Sequence, residues 1–261
     1  METDQEIAVS NPPQKGPLTI NCLKYIAVLA MLIDHIALSF VHNELLLIVM
    51  RFIGKTAGPL MFYAAVEGYH HTRNIGRYIF RLFVFAAISY FPFIYFEAGG
   101  VFSNIHFLKM DVIYTILLGV LAIKARREIK NKPVKLFLVM LLITLCIPAD
   151  WGTAGIIMML VFDFYYGNRK NQLFGYALVV LLYIGVLELI TYPASQLIYH
   201  GNLEIVSDYY KEIVKNTGML LPIIPIFFYA GEKGRKTGFS KWFFYIFYPA
   251  HLLILGFLRG S

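Results

Sequence analysis

Stretches of roughly 20 apolar residues that lack a polar face follow one another along almost the whole chain, and roughly 20 is the number a helix needs to cross the hydrocarbon of a bilayer. They run near 19–41, 45–67, 78–97, 109–125, 134–150, 152–167, 172–191, 217–231 and 241–258. A helix that is apolar all round has no face to offer water. With 58% hydrophobic and 15% charged residues among 261, the chain lacks the polar surface a soluble domain needs. The sequence therefore predicts an all-α, polytopic transmembrane helical bundle of about nine spans, formed as a single domain over 19–260.

The formal net charge of +7 does not point to nucleic acid, because Lys and Arg gather in alternate loops. Arg73, Arg77 and Arg81 follow the second stretch, Lys124 to Lys135 the fourth, and Arg169 and Lys170 the sixth, while Lys233 to Lys241 precede the last. The positive-inside rule then places the amino terminus in the cytoplasm and the carboxyl terminus outside. Residues 1–18 are polar, contain Pro12 and Pro13 and are expected to be disordered; they lack the pattern of a cleaved signal peptide. Residues 192–216 mix Tyr199, Tyr209 and Ile213 with Asp208, Lys211 and Glu212, as an amphipathic helix on the outer interface would. Cys22 and Cys146 fall in different spans and are not expected to form a disulfide.

Ionisable side chains inside a span cost at least about 2.5 kcal/mol each, so they face a cavity or a partner. Asp34 and His35 lie about 10 Å from the outer end of the first span, and Arg51 lies at a matching depth in the second. Neighbours on a helix point about 100° apart, so Asp34 and His35 each need their own partner. An Asp34–Arg51 ion pair is the structural reading; His35 beside two charges in lipid is the candidate general base. Asp111, Asp150, Glu188 and His251 stand at the outer halves of other spans, where any of them could orient His35 or meet a substrate. Asp150 could equally cap the following helix.

A second cluster, Glu67-Gly68-Tyr69-His70-His71-Thr72-Arg73-Asn74 with Arg77 and Arg81, lies at the cytoplasmic face. Juxtamembrane arginines ordinarily meet lipid headgroups. They also suit a phosphate-rich donor whose thioester end reaches into the bilayer past Lys55 and Glu67. No phosphate-binding glycine loop, zinc spacing or nucleophile elbow is present in the sequence, and no metal is expected.

Leu23-Lys24-Tyr25-Ile26 followed by Met31-Leu32-Ile33-Asp34-His35-Ile36 resembles the TraX family of bacterial membrane proteins. Further blocks agree in order: Arg51-Phe52-Ile53-Gly54-Lys55 with Gly58-Pro59, Val66-Glu67-Gly68-Tyr69, Ala149-Asp150-Trp151-Gly152 and Phe247-Tyr248-Pro249-Ala250-His251-Leu252. The resemblance covers about 21–258. Its named member acetylates a pilin amino terminus, and the family looks like a branch of the membrane-bound acyltransferases. It implies a bacterial cytoplasmic-membrane enzyme moving acetyl from acetyl-CoA to an amine or hydroxyl, such as a peptide amino terminus, an envelope sugar or a glycan. On that reading His35, Asp34, Arg51 and Asp150 are catalytic. Lys55, Glu67, His71, Arg73, Arg77 and Arg81 hold the donor, and Asp111, Glu188 and His251 meet the acceptor. The alternative is a proton-coupled transporter using Asp34, His35 and Arg51 as a relay, against which stands the lack of a visible internal repeat.

Overall fold

The computed structural model describes residues 16–186, 204–232, 234 and 238–260. Its helices are α1 (Ile20–Phe40), α2 (Glu44–Gly54), α3 (Ala57–His71), α4 (Ile75–Glu97), α5 (Val112–Glu128), α6 (Lys132–Leu145), α7 (Gly152–Phe164) and α8 (Arg169–Leu182). After these come α9 (Glu204–Thr217), the short α10 (Ile223–Phe227) and α11 (Gly238–Gly260). Among the described residues there is no strand, only isolated bridges at Leu18–Tyr229 and Met110–Ala149. The all-α expectation holds.

Among the described residues, four helical runs are long and apolar enough to cross a membrane: Ile20–Phe40, Glu44–His71, Ile75–Glu97 and Trp242–Gly260. Their outward faces carry large apolar side chains, with Leu29 60% and Phe80 66% exposed, as a surface facing lipid requires. The chain is a membrane protein. Helix starts are closed by short polar side chains: Thr19, Asn43, Asn74, Asp111, Asn131 and Asn168 each accept a first-turn backbone N–H. Such caps satisfy donors that lipid cannot.

Four expected boundaries change. The second stretch is divided at Lys55 and Thr56 into α2 and α3, which together fold back along α1. The stretch 217–231 is not one helix: Pro222 and Pro225 leave a 3-10 turn and the five-residue α10, after which Tyr229 pairs with Leu18. Leu18 is therefore ordered, bonded to Phe228 and Ala230 through its backbone, although it falls in the segment expected to be disordered; 1–15 lie outside the described residues. The amphipathic helix expected over 192–216 occupies 204–217, and 192–203 lie outside the described residues.

Helix α1 packs against α2, α3 and α11; α4 packs against α11 and α5; α7 lies against α3, α5 and α8. Tyr63 meets Phe162 edge to face, Phe162 stacks on Tyr176, and the Tyr176 hydroxyl donates to the Met219 carbonyl. On the α3, α5 and α7 side, the wholly buried Asp163 carboxylate accepts from His70 at 2.8 Å, from Arg127 Nε at 2.7 Å and from Arg126. This clamp ties three helices together and uses His70 structurally.

Candidate functional site

Helices α1, α2, α3, α4, α5 and α11 line a cavity of about 1030 Å³ together with the corner before α7. Lining it are Asp34, His35, Arg51, Lys55, Glu67, His71, Arg81 and Asp150, eight of the residues singled out from the sequence. Because α1 and the α2–α3 run are antiparallel, Asp34, His35, Arg51 and Lys55 share one end. Lys24, Glu67, His71 and Arg81 share the other.

At the first end, Arg51 donates to Asp34 Oδ2 at 2.5 Å, and each side chain is 17% exposed. The approach depends on Gly54, because a Cβ there would overlap the Asp34 carboxyl. One turn later, Gly58 leaves room for the Trp151 indole, over which the Lys55 ammonium lies 5.8 Å from the ring centroid. These two glycines set α2 and α3 close to the cavity floor.

His35 is oriented by a second histidine rather than by a carboxylate. Its Nδ1 lies 2.7 Å from His251 Nε2, and His251 Nδ1 lies 2.8 Å from the Phe247 carbonyl oxygen. A carbonyl only accepts, so His251 carries its proton on Nδ1 and, as a neutral ring, accepts through Nε2. His35 must then carry its own proton on Nδ1, which leaves Nε2 with a lone pair. This assignment follows from the hydrogen-bond network. The two rings are nearly parallel, 16° apart with centroids 5.0 Å apart, and Phe247 also stacks on His251.

Asp150 lines the cavity from a corner held by backbone bonds. Its N–H donates to the Met110 carbonyl at 2.8 Å and Met110 N–H donates to Pro148 at 3.0 Å, which pins the corner between α6 and α7 against the chain entering α5. Asp150 does not cap α7; Trp151 holds the cap position without a side-chain bond. At the other end, Glu67 accepts from the Tyr229 hydroxyl at 3.1 Å and faces His71 Nδ1 at 3.5 Å.

Other expected residues lie apart. Asp111 is buried, caps α5 through Tyr114 N–H and accepts from Ser89, so it serves helix packing and does not line the cavity. Arg73 and Arg77 are exposed at the start of α4 and do not line it either. His251 stands behind His35 rather than on the lining. Glu188 lies outside the described residues. Sequence reasoning missed Lys24, Trp151 and Tyr229 as cavity residues, although Lys24 and Trp151 fall within the blocks that carry the resemblance.

Comparison with known proteins places these features in a family. The sequence model described as TraX protein matches residues 19–259. A protein named probable fimbrial assembly protein FimC, serogroup H1, from Dichelobacter nodosus is 33% identical over 238 residues, covering 89% of this chain and 92% of that protein. No solved structure matches.

Proposed function

The chain belongs to the TraX family, and from that premise we propose that it is an integral membrane acyltransferase that moves an acetyl group from cytoplasmic acetyl-CoA to an amine or hydroxyl of an envelope acceptor. The observation that carries this reading is the chain from His35 through His251 to the Phe247 carbonyl, which assigns a lone pair to Nε2 of His35 in a cavity also lined by Arg51 and Lys55.

The chemistry runs as follows. The acceptor lone pair attacks the thioester carbonyl carbon while His35 Nε2 takes the acceptor proton. The carbonyl electrons move onto oxygen, where the Arg51 guanidinium and the Lys55 ammonium supply positive charge. Collapse re-forms the carbonyl, breaks the C–S bond and expels the coenzyme thiolate, which receives the proton from His35. Asp34 fixes the guanidinium, and Asp150 supplies an acceptor for the incoming nucleophile. Glu67, His71 and Arg81 line the passage of the donor, with Arg73 and Arg77 at the approach from the loop.

The Lys and Arg alternation orients the bundle with its amino terminus in the cytoplasm of a bacterial cell, and the shorter apolar helices complete it. Acceptors that fit the site are a peptide amino terminus, including that of a pilin or fimbrial subunit, an envelope sugar and a lipid-linked glycan. The fimbrial relative favours the first. Calorimetric titration of acetyl-CoA into detergent-purified protein, followed by a thioester hydrolysis assay, tests the reading. Saturable binding with slow hydrolysis supports it. No binding at millimolar donor refutes it and turns attention to proton flux.

A further inference from the structure

At the end of the cavity remote from His35, Lys24 and Arg81 project from α1 and α4 into the same space. The two cations lie close enough to act on one another electrostatically. Neither has an ion pair or hydrogen bond with a described residue; Lys24 sits 5.4 Å over the Phe244 ring and Arg81 5.9 Å from the Tyr78 ring. The Arg81 Nε is buried and unpartnered. The carboxylate at this end, Glu67, is engaged by Tyr229 and His71.

Two like charges held together inside a membrane protein repel each other and lack the counterions that water would supply. Cation–π contacts offset part of that cost but add no negative charge. An anion with several oxygens, able to accept from an ammonium and a guanidinium together, would neutralise both cations. Lys24 stands eleven positions before His35 on α1, about 16 Å at the helical rise, so the anion and the base would occupy opposite ends of one ligand.

We propose that Lys24 and Arg81 form an anion subsite for a phosphoryl group. The inference rests on the acyltransferase reading in taking that group to be the phosphate-bearing end of the donor, and it assigns to Lys24 a role that the exposed Arg73 and Arg77 do not fill.

The test titrates inorganic pyrophosphate into the full-length protein in neutral detergent, with Lys24→Met and Arg81→Gln beside it. Saturable binding to the parent, weakened roughly tenfold or more in each variant, is expected from the loss of a charge-assisted contact. Thermal unfolding without ligand supplies the second readout. Removing one of two repelling cations should hold or raise the midpoint, whereas a structural role would lower it. Equal affinity in all three proteins overturns the subsite, as does a lowered midpoint with unchanged affinity.

Repeating the titration in nanodiscs separates the sources of the phosphoryl group. Phosphatidylglycerol that competes with pyrophosphate in the parent assigns the subsite to a lipid headgroup. Adenosine 3′,5′-bisphosphate that binds equally in phosphatidylglycerol and phosphatidylcholine discs assigns it to the soluble donor. Pyrophosphate binding in a protein that neither hydrolyses nor transfers acetyl would keep the subsite and remove the acyltransferase reading.

Discussion

His35 and His251, 216 positions apart in sequence, are joined ring nitrogen to ring nitrogen at 2.7 Å. Because His251 is itself tied to the Phe247 carbonyl, the pair fixes a direction: protons on both Nδ1 atoms, a lone pair on His35 Nε2.

That direction makes His251 a positioning residue. His251→Gln keeps an amide oxygen that can accept from His35 and should retain most activity; His251→Ala should lose about 10-fold or more in turnover with little change in donor affinity, as a misoriented base would. Ring ¹⁵N spectra of labelled protein check the cause directly, since His35 should give one protonated and one unprotonated nitrogen signal, with Nε2 the unprotonated one. An Nε2-protonated His35 would contradict the network.

The Asp34–Arg51 pair should behave as a buried ion pair. Arg51→Ala leaves the carboxylate without its partner and should cost about 3–5 kcal/mol of stability, while the double variant Asp34→Asn with Arg51→Gln should lose much less. Gly54→Ala should act like a weaker version of the single variant, because its methyl needs the space of the Asp34 carboxyl. Denaturation of the three proteins in the same detergent orders them.

Much of this was legible in the sequence. Asp34 with Arg51 could be paired from depth alone, since both stand a similar distance from the short connection at 41–43. His35 was identifiable because an imidazole beside charges in a span is costly. Its partner could be narrowed to four candidates but not chosen among them, because the contact joins the first and last long helices, and no periodicity within either reveals which faces meet. Of the four candidate orienters, Asp111, Asp150, Glu188 and His251, it is the histidine that meets His35. The 217–231 stretch misled through composition: it is apolar enough to span, but Pro222 and Pro225 remove backbone donors. Asp111 read as a substrate group because a buried carboxylate is conspicuous, yet helix capping and Ser89 account for it.

Asp163 separates stability from catalysis. Asp163→Asn would leave Arg126, Arg127 and His70 without their shared carboxylate and should lower stability by about 3–5 kcal/mol. At temperatures where the variant remains folded, its acetyl transfer per molecule should match the parent, because none of these groups lines the cavity. Thermal unfolding beside a transfer assay distinguishes the two effects.

Met61 lines the cavity on α3 between Lys55 and Glu67. Met61→Trp should obstruct the passage between the two ends, weakening acetyl-CoA binding while pyrophosphate binding at Lys24 and Arg81 persists. Parallel titrations with the two ligands measure this.

The most direct measurement is transfer of labelled acetyl from acetyl-CoA to an acceptor peptide by the parent protein and by His35→Ala in proteoliposomes, with donor binding recorded for both. The account predicts transfer by the parent, a fall of about 10²–10⁴-fold in the variant, and donor affinity nearly unchanged. Full transfer by His35→Ala, with donor bound equally, would contradict it.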